Sequence, residues 1–509
     1  MEKIFNAVGL EGKYQNILFT INLLTAILPT IYTLQIPYLT KYPSFLVRKL
    51  NSEDSTKLYE MEYSIELCDS NIYQIIKNPK KSLINWSYSF DLYCDKDAYN
   101  TIITSLVFVG GMIGTLLIVP LPDKCGRAKV LKYISIISLI FHLNLLFNIG
   151  PIHLIIINFL GGLFCQIFLI GYALFTEFFP KDKNGLYIGI YNAIYPFEGI
   201  FLCFFFMFSN SWRLLYFITS LLHIYYTYIT LKYMVESPRW LHSTGDKEKC
   251  LGALTEIAFY NNRTEEWNQF QNDNQDIINK LGTAYLEIEG SNNNIEVIKE
   301  DKKINRTYNI IDILKLDSQR KTFIKLTLIN IGCSYNYYGI ILNLGKMKGN
   351  FYLNSIFAFL GEFLCEGLSG FYSDKFGRIK LFIISCIIGT IGYILYMISP
   401  IFKFLFVFIA MVGYSGIFNT ITIYTPEIYP TKIRNVAYSF SSFLSRLGPI
   451  CVPILSQAMP ELIDYSFIFS GIIIGIIGFS LEETLGKKRM DIIPEEEIKY
   501  ELNSILINE

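Results

Sequence analysis

The sequence predicts an all-α polytopic membrane protein in which twelve transmembrane helices form two six-helix bundles. Hydrophobic residues make up 52% of the 509 residues and charged residues only 17%, whereas soluble proteins carry roughly 25% charged residues. The apolar residues are gathered in runs of about 18 or more, long enough to cross a bilayer core of roughly 30 Å. Several charged motifs of the first half also return in the second half. Together these observations indicate a duplicated bundle of membrane-spanning helices.

Twelve apolar runs lie along the chain, six in each half. Those of the first half lie near 16–36, 99–119, 130–149, 152–176, 186–208 and 213–235. Those of the second half lie near 322–344, 352–372, 379–399, 402–424, 435–456 and 462–481. The first run is too long for a signal-peptide core, so we expect a retained helix. The predicted units are an N-terminal bundle (1–235), a polar linker (236–320), a C-terminal bundle (321–485) and a tail (486–509).

The basic residues of the short loops orient the helices, because Lys and Arg are enriched on the cytoplasmic side of membranes. Alternate loops carry Lys and Arg at 124–129, 181–183, 375–380 and 432–434, and the short loops between them hold few. We therefore predict that both termini and the linker are cytoplasmic and that the loop 37–98 is extracellular.

The predicted extracellular loop carries two features of exported segments. Cys68 and Cys94 lie where oxidation is permitted, and the sequence leaves open whether they pair. The sequon NWS at Asn85 predicts N-glycosylation. The sequons at Asn262 and Asn305 fall in the cytoplasmic linker and should stay unmodified.

Three charged landmarks occur twice, each time roughly 250 residues apart. The pairs are Asp123 of DKCGR with Asp374 of DKFGR, Glu177 of TEFFP with Glu427 of PEIYP, and Glu236 of VESPRW with Glu483 of LEETLGKK. Because each member stands at the matching end of the matching run, we infer two similar halves in the same orientation. Such parallel repeats are found in alternating-access transporters, whose substrate site lies between the halves near the bilayer midplane.

These motifs also carry a family resemblance. The DKxGR turns among twelve runs resemble the major facilitator superfamily. The stretches VESPRWLHSTGD, YTPEIYPTKIRNVAYSFSSFLSRLGP and EETLGKKR are similar to solute carrier family 22, the organic cation, carnitine and organic anion transporters. Sugar porters share the ESPRW and ETLGK signals but have a Gln-Gln pair in the seventh helix, where this chain reads LINIGCSYNYYGI. The resemblance therefore implies the major facilitator fold and disfavours a sugar as substrate.

The resemblance further implies that the repeated turns gate the cytoplasmic face through charge networks. The residues that match these motifs are Asp123, Gly126, Arg127, Glu177, Glu236, Arg239, Asp374, Gly377, Arg378, Glu427 and Arg434. We expect the Asp of each turn to cap the following helix and the basic residues to meet acidic partners that separate on opening. The alternative is a solvated loop that only orients the helices. Val119 and Pro122 depart from the family pattern, so we expect the first turn to pack differently.

Four charged residues fall inside the apolar runs: Glu198 in the fifth, Glu362 and Glu366 in the eighth, and Arg446 in the eleventh. A charge at a helix centre costs about 2.5–3.5 kcal/mol on insertion scales, so it usually faces a cavity or a partner. At about 1.5 Å per residue, the three runs bring these charges to a similar depth. This arrangement predicts a shared substrate cavity, with ion pairing among the four residues as the structural alternative.

The intramembrane charges also bear on the substrate. Glu362 and Glu366 are four residues apart, where like charges repel, which suits proton coupling but equally a neutral, hydrogen-bonded carboxyl. At the position of Arg446, the resemblance implies Asp in cation carriers and a basic residue in anion and carnitine carriers. Three glutamates against one Arg favour positive charge. A zwitterion satisfies both, with its ammonium near the glutamates and its carboxylate on Arg446.

Aromatic side chains offer a second kind of contact with organic cations, worth roughly 0.5–2 kcal/mol. The candidates are Tyr337 and Tyr338 of SYNYYG and Tyr195 of YNAIYPFEG. Because the chain holds 36 Tyr and 40 Phe, packing or lipid contact is the alternative for each of them.

The sequence therefore predicts a plasma-membrane transporter of a small organic cation or carnitine-like zwitterion that works by alternating access. The alternatives are an organic anion carrier, a sugar-type carrier, or a receptor-like relative that binds ligands without moving them. Enzyme, ATPase and metal-binding motifs do not occur in the sequence, so we predict neither an enzyme nor a cofactor or metal site. The zero formal net charge gives no argument for nucleic acid. The expected partners are the lipid bilayer, the organic ion and a coupling ion, with sodium and proton both open.

Overall fold

The computed structural model describes residues 2–9, 12–50, 58–147, 149–178, 181–279, 281 and 310–486. Each apolar run forms one helix or two consecutive helices, numbered here as spans 1 to 12. Spans 1 to 6 are Lys13–Leu34 with Ile36–Leu39, Asp97–Leu117, Arg127–Leu146, Pro151–Phe164 with Ile167–Phe178, Lys181–Phe208, and Trp212–Tyr233. Spans 7 to 12 are Asp317–Asn343, Phe351–Phe376, Arg378–Ile398, Lys403–Ile428, Thr431–Ser445 with Leu447–Ala458, and Ile463–Phe479. Eight of the described helices are long and apolar enough to cross a membrane, and they form spans 1 to 6, 9 and 10.

The turns between spans 2 and 3 and between spans 8 and 9 share one backbone conformation. Gly126 and Gly377 have φ values of +100° and +96°, in the region that favours glycine because it lacks a Cβ. Both turns lie at one end of the bundle, which we call the turn end. We call the opposite end, where residues 40–50 and 58–96 lie, the sheet end.

The segment at the sheet end is a small folded unit. Its strands are β1 (Phe45–Lys49), β2 (Tyr59–Met61) and β3 (Tyr73–Lys77), in the antiparallel order β2-β1-β3. Its short helices are Ile65–Cys68, Trp86–Ser89 and Cys94–Lys96. Phe45, Val47 and Leu67 form its core. Cys68 and Cys94 form a disulfide, which resolves the alternative that the sequence left open.

Asn85, the predicted glycosylation site, is only 1% exposed. Its Nδ2 donates hydrogen bonds to the carbonyl oxygens of Tyr38 and Lys41, both at 2.7 Å. Its Oδ1 accepts the N–H of Tyr88 at 2.9 Å and caps the helix that begins at Trp86. An N-linked glycan would be attached through this nitrogen, which is buried and hydrogen-bonded here, and the glycosylation of Asn85 stays a prediction.

The predicted linker contains packed helices over part of its length. They are Pro238–Ser243, Lys247–Tyr260, Thr264–Asp273 and Gln275–Asn279, and Ile310–Lys315 precedes span 7. Leu254 and Trp267 are fully buried in one core with Phe5 of the N-terminal helix Glu2–Val8. These helices of the predicted linker therefore pack against the first half, through apolar residues scattered in a polar segment. Residues 280, 282–309 and 487–509 of the predicted linker and tail lie outside the described residues.

Candidate functional site

A central cavity lies between the two halves and has a volume of about 200 Å³. This volume is below the roughly 300–1,000 Å³ that is usual for ligand pockets. Spans 1, 4, 5, 7, 8, 10 and 11 line it. Its polar lining residues are Thr30, Thr33, Cys165, Tyr191, Asn192, Tyr195, Tyr337, Tyr338, Glu362, Glu366, Ser415, Asn419 and Arg446. All the predicted substrate residues except Glu198 therefore meet at one cavity.

Glu362 and Glu366 line the cavity one helical turn apart on span 8. Glu362 is 3% exposed, and its Oε1 accepts a hydrogen bond from the Tyr337 hydroxyl at 2.5 Å. The Oε2 atoms of both glutamates are buried and have no hydrogen-bond partner among the described residues. Because buried polar atoms are nearly always paired, these two oxygens are suited to bind a cationic or hydrogen-bonding group.

Arg446 lines the same cavity at the interruption between the two helices of span 11. Among the described residues, no carboxylate oxygen lies within 4.0 Å of its guanidinium nitrogens. The structural alternative, in which Arg446 only neutralises a glutamate, therefore has no ion pair to support it in this conformation. Its planar fork of N–H donors suits a ligand carboxylate.

Glu198 lies behind the cavity wall rather than on it. It is 4% exposed, and its Oε2 accepts a hydrogen bond from the hydroxyl of Thr30, a lining residue of span 1. Its Oε1 is buried without a partner among the described residues. The similar depth of the charges along their helices correctly indicated that Glu198 lies near the cavity. Its side chain, however, is not part of the cavity lining.

The three predicted tyrosines contribute their rings to the cavity. Tyr337 and Tyr338 are perpendicular, with ring centroids 5.0 Å apart, and Phe108 of span 2 contacts Tyr338 edge-on at 5.0 Å. Tyr335 of the same SYNYYG stretch instead hydrogen-bonds to Ser466 at 2.5 Å, within the second half. The tyrosines of the cavity thus present both hydroxyl groups and ring faces to a bound organic cation.

Two functional candidates on span 10 were not predicted. Ser415 and Asn419 line the cavity four residues apart, hence on one helix face. Ser415 Oγ and Asn419 Nδ2 are buried without a hydrogen-bond partner among the described residues. The only sequence signal is small polar residues at helical spacing in an apolar run, which is weaker than a charge.

The repeated charged motifs form the same network at the turn end of each half. In the first half, Arg127 pairs with Glu177 at 3.0 Å and with Asp123 at 3.2 Å. In the second half, Arg378 binds Glu427 through two nitrogens at 2.9 and 3.1 Å. The predicted meeting of basic turn residues with Glu177 and Glu427 is therefore observed, and each network joins spans of its own half.

The helix caps differ from the prediction, because they come from acidic residues that follow spans 6 and 12. Glu236 accepts the N–H groups of Arg127 and Ala128 at 2.8 and 3.0 Å and so caps span 3. Glu483 accepts those of Arg378 and Ile379 at 2.9 and 3.0 Å and caps span 9. Asp123 does not cap a helix, and the side chain of Asp374 lies outside the described residues.

The glycines of both turns are required by these caps. A Cβ on Gly126 would lie 2.5 Å from Glu236 Oε2, and one on Gly377 would lie 2.7 Å from Glu483 Oε2. Real Cβ atoms essentially never approach another atom so closely. In both turns the carboxylate therefore occupies the place that a side chain would take.

The Glu483 carboxyl is held in its ionised form. Burial opposes ionisation, but the N–H groups of Leu485, Arg378, Ile379 and Thr484 outweigh it and keep the pKa of Glu483 below its ordinary value. The cap is therefore complete above the ordinary carboxyl pKa and is lost as the pH falls through the lowered value.

The remaining gating candidates also stay near the turn end. The Arg239 guanidinium lies over the ring of Phe5, 5.3 Å from its centroid. Arg434 donates through Nε and Nη2 to the carbonyl oxygen of Tyr429 at 3.3 and 3.2 Å. These contacts order the motifs locally, and the gating roles themselves stay predictions.

The two halves are joined by several contacts between the cavity and the sheet end. Tyr352, at the start of span 8, donates to Phe206 O of span 5 at 3.0 Å, and its own carbonyl accepts from Cys203 Sγ at 3.4 Å. Lys41 Nζ lies over the ring of Phe351, 4.2 Å from its centroid. These contacts hold the two halves together between the cavity and the sheet end.

Comparison with known proteins agrees with this fold. The family of sugar (and other) transporters matches residues 51–492. The chain is similar to the inward open conformation of the xylose transporter XylE from E. coli, with a TM-score of 0.61 and 14% identity over 96% of this chain and 98% of that one. Its likeness to XylE bound to 6-bromo-6-deoxy-D-glucose, described as a major facilitator superfamily proton:xylose symporter, has a TM-score of 0.56 and 13% identity over 96% and 98%. These structures support the twelve-helix fold.

Curated relatives share more sequence with the chain. Organic cation/carnitine transporter 4 of Arabidopsis thaliana is 26% identical over 403 residues, which cover 77% of this chain and 72% of the relative. Solute carrier family 22 member 15-like of Xenopus tropicalis is 25% identical over 470 residues, covering 87% and 85%. The predicted resemblance and the prediction that the protein is not an enzyme are confirmed by these matches. The chain therefore belongs to the family of sugar (and other) transporters, membrane proteins of the major facilitator fold.

Proposed function

We propose that the protein moves a small organic cation or carnitine-like zwitterion across the plasma membrane by alternating access. The observation that carries the proposal is the central cavity, where Glu362 and Glu366, each with a buried oxygen that has no hydrogen-bond partner among the described residues, meet Arg446 and several tyrosines. A neutral sugar leaves these charges uncompensated, and a simple anion would face two carboxylates. The name of one curated relative, organic cation/carnitine transporter 4, supports the same substrate class.

The proposed topology places the turn end, both termini and the packed helices Pro238–Asn279 in the cytoplasm. The sheet end, with its disulfide, is then extracellular, as the oxidising side of the membrane requires. We infer that the contacts between the halves at the sheet end close the cavity on the outside, so that the substrate leaves toward the cytoplasm in this conformation. A coupling ion, sodium or proton, completes the proposed cycle.

Uptake into proteoliposomes tests the proposed function. The panel contains tetraethylammonium, L-carnitine, p-aminohippurate and D-glucose, each with sodium present or absent and at two pH values. We expect uptake of carnitine or tetraethylammonium and none of glucose. Binding without uptake would identify a receptor-like protein, and uptake of glucose or p-aminohippurate alone would contradict the proposed substrate class.

The variant Arg446→Asp tests the role of the single basic residue. We expect loss of carnitine uptake by about tenfold or more, because a bidentate charge-assisted pair of about 1.5–3 kcal/mol is removed. Tetraethylammonium, which lacks a carboxylate, should be transported as well as before or better. Arg446→Lys is the matched control that keeps the charge without the fork. Equal loss of both substrates in folded protein would make Arg446 structural.

A further inference from the structure

The pair Glu362 and Glu366 has the arrangement of an exchange site. Both side chains line one cavity from a single helix face, and each has a buried Oε2 without a hydrogen-bond partner among the described residues. Glu362 is 97% removed from solvent, since its exposed fraction is 3%. Only one of its oxygens is satisfied, by the Tyr337 hydroxyl.

The charge around the pair follows from the side chains that face it. The titratable and charged groups of the cavity wall are Cys165 of span 4, Tyr191 and Tyr195 of span 5, Tyr337 and Tyr338 of span 7, and Arg446 of span 11. Cys365 lies between the two glutamates on span 8 itself. Spans 1 and 10 contribute only Thr30, Thr33, Ser415 and Asn419 as polar groups, none of which titrates near neutral pH. Glu198 lies behind Thr30 and does not face the pair.

With both glutamates ionised, the described lining groups carry two negative charges and one positive charge. A net charge inside the membrane is costly, about 2.5–3.5 kcal/mol for a single side chain, and the two carboxylates also repel each other. One proton makes the cavity neutral, and one bound monovalent cation makes it neutral as well. A state that contains both, or neither, is charged.

We propose that Glu362 and Glu366 together hold one proton when the cavity contains no substrate, and that an organic cation displaces this proton, so that one cation is exchanged for one proton. This inference rests on the proposed function and deepens it, because it names the coupling ion and its site. The Tyr337 hydroxyl stabilises a negative charge on Glu362, so Glu366 carries the proton. On cation binding the proton passes to water on the open side of the cavity, and it is taken up again when the cation leaves.

Proton release on ligand binding tests the exchange directly. The purified full-length protein is placed in weakly buffered detergent solution with a pH indicator, and tetraethylammonium is added to saturation. This cation has a permanent charge and no proton of its own, so any proton released comes from the protein. We expect about one proton per bound cation, and a dissociation constant that rises about tenfold for each unit of pH decrease where the pair is protonated.

Variants separate the pair from other titrating groups. Glu366→Gln should bind the cation without releasing a proton, whereas Glu461→Gln, an exposed residue at the sheet end, should release one as the wild type does. If Glu366→Gln proves unstable, Glu366→Asp is used as a second variant. It keeps a carboxylate and should therefore still release a proton on cation binding. Cation binding with no proton release and a pH-independent dissociation constant overturns the exchange and leaves the proposed transport standing. Failure of the wild type to bind or transport either tetraethylammonium or carnitine overturns both.

Discussion

The side chain of Asn85 joins segments that are distant in sequence. Its amide holds the chain after span 1 through two carbonyl oxygens and caps the helix beginning at Trp86, which is fully buried. The sequon pattern reports only the residue types that a modifying enzyme accepts. Burial and hydrogen bonding are properties of the fold, and here they occupy the nitrogen that a glycan needs.

We predict that Asn85→Ala lowers the thermal stability of the detergent-solubilised protein, because the buried carbonyl oxygen of Tyr38 loses its donor, at about 1–3 kcal/mol, and the partly buried one of Lys41 loses a donor as well. N-glycosidase treatment of the wild type should leave its electrophoretic mobility unchanged. Asn71→Ala, in an exposed position of the same segment, is the matched control and should have little effect. A mobility shift that disappears in Asn85→Gln would contradict the buried position.

The site residues that could be predicted are those whose charge is costly to place inside a membrane. Glu362, Glu366 and Arg446 stand out because a charge in an apolar run needs a reason. Ser415 and Asn419 did not stand out, since small polar residues are tolerated in membrane helices and the side that they face depends on packing. The capping roles of Glu236 and Glu483 also escaped prediction, because each carboxylate is more than 100 residues from the helix that it caps.

At the scale of helices, the contacts near the sheet end depend on how span 8 begins. Asn350 caps this helix by accepting the N–H groups of Tyr352 and Leu353, which places Phe351 and Tyr352 against the first half. The predicted boundaries of the run were close to those of the helix. The pairing of its first turn with span 5 was not predictable, because no periodic pattern specifies which helix of the other half it meets.

We predict that Phe351→Ala favours opening of the sheet end, since it removes the aromatic partner of Lys41 and a contact with Tyr38. The measurement is the reaction of Cys203, fully buried beneath Tyr352, with a membrane-impermeant thiol reagent added outside. Labelling should rise several-fold, in line with the roughly 0.5–2 kcal/mol of a cation–π contact.

Two controls define that labelling signal. Phe363→Ala alters an exposed phenylalanine of the same span and should leave the labelling at the wild-type level. Cys203→Ser in the Phe351→Ala background should remove the added signal. Labelling of Cys203 at equal rates in wild type and Phe351→Ala would show that this contact does not hold the outer side closed.

At the scale of the whole molecule, the duplication was visible in the sequence because the charged landmarks recur at matching helix ends. The structure gives the physical reason for the recurrence. In each half, one Arg joins two neighbouring spans. One carboxylate, which follows the last span of that half, caps span 3 in the first half and span 9 in the second. Which end of the cavity is closed could not be predicted, since the same sequence must adopt both arrangements during transport.

This equivalence predicts matched effects in the two halves. Glu177→Gln and Glu427→Gln each remove an acidic partner of an Arg, in ion pairs whose side chains are only 10–18% exposed. If the bundles move as rigid bodies, loosening either one should lower the maximal transport rate by about tenfold, the factor that corresponds to 1.4 kcal/mol. Binding of tetraethylammonium should be nearly unchanged, because both residues are remote from the cavity lining.

Glu461→Gln again serves as the exposed control. Unchanged flux in both variants at normal expression would reduce the repeated turns to orienting loops, and a loss confined to one half would show that only that half's network moves or breaks during transport.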